Sequence, residues 1–161
     1  MATRFLRVVR AVFWLSLAVW IGMVVFFSLV VAPGAFQALP RESASTLLAT
    51  LFPRYYALGA LAGVLATAAG ALLRGHVRAP TAWVAVMVLL NLMLAATLYA
   101  GTVVEPRART LRPALHAEHV EPATQAEFDH LHRLAVQLNG AVLVLGVATI
   151  CLAANLSSPP R

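Results

Sequence analysis

Lysine is absent from the 161-residue chain, cysteine occurs once, and there are only six acidic residues, five of them between Glu105 and Asp129. Each absence removes a class of function. Without lysine, the net charge of +6 is carried by arginine alone, and the arginines stand at the ends of apolar runs. That distribution suits lipid headgroups, and it lacks the clustered basic face with which proteins grip nucleic acid. The single cysteine, Cys151, cannot form an intramolecular disulfide. No charge or second ligand near it in sequence favours a thiolate, so it reads as packing volume. A glycine-rich phosphate loop, a serine in a nucleophile elbow and a Cys-His pair are all missing, so the chain reads as non-enzymatic, with no cofactor expected. The span interiors contain no acidic or basic residue, which weighs against proton-coupled transport. His76 and His132 fall at opposite surfaces, not on facing helices at membrane depth, which weighs against haem.

What is present is mostly hydrocarbon. Apolar residues make up 61% of the chain and charged residues 11%, with a mean hydropathy of +0.82; soluble domains use roughly 45–50% and 25%. The chain belongs in a bilayer. Its length suits one domain, residues 1–161, built as an all-α bundle of four spanning helices with both termini on the same side. The spans are placed at about 8–32, 55–74, 81–104 and 132–155, with a polar connection over 105–131.

The first apolar run, Ala11 to Ala32, has 22 residues and follows Arg4, Arg7 and Arg10. It exceeds the 7–15 residues of a secretory signal core, so it reads as a retained span. Gly22 is expected to admit a close neighbour, and Pro33-Gly34 to end the helix. Beyond it, Glu42 or Ser43 starts a short amphipathic helix that Pro53 kinks or stops. Arg54-Tyr55-Tyr56 reads as an interfacial belt at headgroup level. In the second span Gly59, Gly63, Ala66 and Gly70 line one face, fit for close packing inside the bundle or between copies in a homo-oligomer. Asn91 falls near the middle of the third span, where an amide is expected to face another helix. Thr124 and Glu127 stand in capping-box register and start the fourth helix. Basic residues are tied at six on each side. The three arginines before the first span break the tie, which puts the termini in the cytoplasm of a bacterial inner membrane.

Several motifs occur in order along the chain: Trp20-Ile21-Gly22, Leu39-Pro40, Leu51-Phe52-Pro53-Arg54-Tyr55-Tyr56, Glu105-Pro106-Arg107, and Phe128 followed by His132 and Asn139. Together they resemble the transmembrane protein 205-like family. The resemblance implies a small four-helix integral membrane protein without an established biochemical activity. By position, Pro53, Glu105, Arg107, Phe128, His132 and Asn139 match the family pattern. The segment between the Glu-Pro-Arg motif and the fourth helix is shorter here than in the longer animal members.

The polar stretch carries two candidate sites. His116, His119, Glu127 and His130 offer imidazole and carboxylate at three-residue spacings, suited to a divalent metal, although no recognised zinc signature is present. Glu105, Arg107, His132 and Asn139 form the second, in which Arg107 pairs with Glu105 and His132 bonds into the pair. This cluster would act as a clasp between helices or as a headgroup or solute site. The leading reading is a structural or accessory membrane protein whose partners are the bilayer and other copies of itself. The alternative is a transporter or permeation factor for a small solute or metal ion.

Overall fold

Helix formation follows the apolar runs and then overshoots them. The computed structural model describes residues 2–77, 79–115 and 120–157, and among them no strand occurs. Helix α1 (Ala2–Phe26) passes through a π-helical turn, Phe27–Val31, into α2 (Ala32–Ala38). After α3 (Arg41–Leu73) and a short 3-10 turn, α4 (Trp83–Tyr99) passes through a second π-turn, Ala100–Val104, into α5 (Glu105–Leu115). The last helix is α6 (Pro122–Ser157). Four rods result, Thr3–Ala38, Arg41–His76, Trp83–Leu115 and Pro122–Leu156, each long and apolar enough to cross a membrane. The protein is therefore an all-helical, four-span bundle with its termini on one side.

The prolines act differently from expectation. Pro33 does not end the first helix, which continues to Ala38. The π-turn carries the amide of Ala32 to the carbonyl of Phe27, and Pro33 then opens a new α-helical segment, where its missing donor is harmless. The stop comes at Leu39, held extended (φ −126°, ψ 152°) by the following Pro40. The second π-turn repeats the device: the Glu105 amide bonds the Ala100 carbonyl, and Pro106 follows. Pro53 lies inside α3, which runs unbroken through it. In hydrocarbon a broken helix would strand several backbone groups, whereas proline strands one carbonyl, so the continuous helix costs less. At α6, the Gln125 amide bonds the Glu121 carbonyl, so the helix starts at Pro122, ahead of the Thr124–Glu127 register.

In the bundle α1 packs on α3, α3 on α4, α4 on α6, and α6 back on α1. Its centre is filled by fully buried Phe13, Leu17, Trp20, Trp83, Leu90 and Met93. Large apolar side chains such as Leu15, Leu29, Leu92 and Val144 cover the outside, the arrangement a lipid solvent favours. The glycines of α3 face inward. A methyl at Gly63 would stand 2.7 Å from the Trp20 ring, and the Gly70 carbonyl accepts the Trp83 indole N–H at 2.9 Å. Gly22, in contrast, has nothing within 4 Å; its face is open to lipid.

Candidate functional site

The cross-bundle polar contacts concentrate at the end opposite the termini. There α3, both π-turns and the middle of α6 at Asn139 converge on Tyr55 and Tyr56, each about 6% exposed. The Tyr55 hydroxyl donates to Asn139 Oδ1 at 2.9 Å. Asn139 Nδ2 donates to the Ala135 carbonyl at 3.1 Å and, more weakly, to the Tyr56 hydroxyl at 3.4 Å. Phe27, from the first π-turn, packs on the Tyr55 ring at 4.7 Å. Gly101, from the second, lets Tyr56 approach until an added Cβ would stand 2.6 Å from the tyrosine Cβ. The tyrosines therefore do not form a headgroup belt: their rings complete an aromatic cluster with Phe27 and Phe52. Their hydroxyls reach the one span-interior amide of α6 that lies across from them.

Nearer the surface, Glu105 is 8% exposed and is clamped by Arg109, with Nη2 at 2.7 and 2.9 Å from its two oxygens and Nε at 3.0 Å. The expected partner, Arg107, points elsewhere and bonds Glu127 at 2.6 Å, joining α5 to α6. Helical geometry explains the exchange, because residues four apart share a face and residues two apart do not. His132 is exposed and, among the described residues, makes no hydrogen bond or ion pair in this cluster. Arg112 Nη1 bonds the Ser45 carbonyl at 3.0 Å, and its guanidinium lies 6.0 Å over Phe52, tying α5 to α3.

Of the metal candidates, His116 and His119 lie outside the described residues. Glu127 is engaged by Arg107, and His130 is exposed. Among the described residues no group of three metal-ligating side chains is assembled. Asn91 does not face a neighbouring helix. It is exposed on the outer surface and donates to the Met87 carbonyl one turn back at 2.7 Å, so its amide is satisfied locally.

The arrangement can hold helices in register and present cations at a surface. The sequence reading places Tyr55 and Tyr56 at the headgroups and does not name Phe27 or Arg109 as site residues. Only Arg109 carried a usable signal, its i,i+4 spacing from Glu105. No curated protein and no solved structure matches the chain. A family model does match, over residues 15–117, which run from within α1 past the clamped Glu105–Arg109 pair. The chain belongs to that family, described as a domain of unknown function (DUF4149).

Proposed function

We propose that this protein is a structural or accessory component of the bacterial cytoplasmic membrane, without a catalytic role and with its termini in the cytoplasm. One observation carries the reading: the bundle centre is filled with Phe13, Leu17, Trp20, Trp83, Leu90 and Met93 at 0% exposure, while the mid-span amide of Asn91 faces outward. A permeation route would need inward-facing polar groups free to meet a solute, whereas the fully buried Thr149 spends its hydroxyl on the Leu145 carbonyl of its own helix. The motifs beyond residue 117, Phe128 through Asn139, support kinship with the transmembrane protein 205-like family. Self-association, as part of this reading, would use open glycines such as Gly22 and Gly140, since those of α3 are already covered.

The test is flux. Proteoliposomes loaded with a zinc-sensitive dye, or with a small fluorescent solute, should leak no faster than protein-free vesicles. Saturable flux of either would replace the accessory reading with a permeation factor for a small solute or metal ion.

A further inference from the structure

On the flank of the bundle, α3 and the rod formed by α4 and α5 leave a groove made of two adjoining cavities that share Pro53 and Arg109. The inner cavity, about 320 Å³, is bordered by Ala57, Ala60, Thr97, Leu98 and Gly101, and also by the carboxylate residue Glu105. The outer, about 520 Å³, lies toward the end opposite the termini and is bordered by Thr46, Thr50, Arg54 and Arg109. Leu98 is 42% exposed, so the inner cavity opens sideways into the lipid.

Polarity changes along this groove in one direction. The threonine hydroxyls are already used, Thr46 on the Glu42 carbonyl and Thr50 on the Thr46 carbonyl, each at 3.0 Å. Recognition in the outer cavity therefore falls to the guanidinium groups. Glu105 is neutralised by Arg109, whose Nη1 makes no hydrogen bond among the described residues. Arg54, on the opposite wall, has neither hydrogen bond nor ion pair among them, so its positive charge is uncompensated. Arg54 stands about ten residues before the middle of the second span, about 15 Å at 1.5 Å per residue. Half of a hydrocarbon core is about 15 Å. Arg54 and the clamped Arg109 therefore stand at headgroup level above a mostly apolar trough.

We propose that this groove holds an anionic glycerophospholipid, with its phosphate between Arg54 and Arg109 and one acyl chain along Ala57, Ala60, Leu98 and Gly101. The positive charge of Arg54 selects for a headgroup with net negative charge. The inference is independent of the accessory reading: a lipid can occupy this flank whether or not the bundle conducts solute.

Purified full-length protein in a non-ionic detergent is mixed with phosphatidylglycerol or phosphatidylcholine of matched chains, and retained adducts are measured by native mass spectrometry. The wild type retains phosphatidylglycerol over phosphatidylcholine. Arg54→Gln lowers phosphatidylglycerol retention about five-fold and removes the preference. Ala57→Phe fills the trough from an exposed position and lowers retention of both lipids. The triple variant Arg4→Gln, Arg7→Gln, Arg10→Gln, at the other end of the bundle, retains phosphatidylglycerol as the wild type does. Arg54 and Ala57 are both exposed, so their variants keep the fold, which thermal unfolding verifies. Equal retention of the two lipids by the wild type, no change in either single variant, or an equal loss in the triple variant overturns the proposal.

Discussion

Two cross-helix hydrogen bonds of unequal quality tie Asn139 to α3, and they make a prediction at single-residue resolution. The Tyr55 hydroxyl meets Oδ1 at 2.9 Å, whereas Nδ2 reaches the Tyr56 hydroxyl only at 3.4 Å. Tyr55→Phe is therefore expected to destabilise the bundle by about 0.6–1.7 kcal/mol, and Tyr56→Phe by less, the range for cross-helix bonds in membranes. Denaturation by titrated dodecyl sulfate measures both, and an equal effect would count against the clasp. A second asymmetry concerns charge. Arg109→Ala strands Glu105, 8% exposed, whereas Glu105→Gln strands an arginine that is 52% exposed and can turn to water. The first substitution should cost clearly more than the second. Arg107→Ala, which breaks a surface pair with 66% of its arginine exposed, should cost under about 1 kcal/mol. Little of this was legible in the sequence. Arg-Tyr-Tyr before an apolar run reads the same whether the rings face headgroups or the core, and the deciding partner, Asn139, is more than eighty residues away. Asn91 erred the other way, because a lone amide in a span can be satisfied by its own helix.

At the level of elements, the four spans were legible because uninterrupted apolar runs of about 20 residues satisfy their backbone in lipid as helices. Where the helices stop was not. Pro33, Pro53 and Pro106 each look like a terminus, yet α2, α3 and α5 contain them. Whether a proline ends a helix, enters it, or follows a π-turn depends on what its surroundings offer the freed carbonyl, and that is tertiary information. Glycine makes the same point quantitatively. Gly101→Ala would drive a rigid methyl to 2.6 Å from the Tyr56 Cβ and is expected to destabilise by about 1–3 kcal/mol. Gly22→Ala meets nothing within 4 Å and should be neutral or stabilising by up to about 1 kcal/mol. The sequence points to a close neighbour at Gly22, the reverse of the packing, so the pair tests the packing directly in the same unfolding assay.

For the molecule as a whole, the apolar exterior suits a lipid solvent, and sidedness is read with a reporter. Termini in the cytoplasm predict that alkaline phosphatase fused after Arg161 is inactive in cells, while the same reporter placed in the Glu105–Pro122 connection is active. The reverse pattern would invert the orientation. The cross-helix hydrogen bonds of Tyr55 with Asn139, Trp83 with Gly70, Arg107 with Glu127 and Arg112 with Ser45 join α3, α4, α5 and α6 to one another. Helix α1 meets its neighbours through packed surfaces, with Phe13, Leu17 and Trp20 seated in the core. Among the described residues no side-chain hydrogen bond ties the first rod to the other three, so a small slide or rotation of it costs packing but breaks no such bond. Relative motion of that rod against the other three is expected to be the softest degree of freedom in the molecule. Spin labels on the exposed face of α1 and at Cys151, itself exposed on α6, would report it as a distance distribution broader than that between α4 and α6.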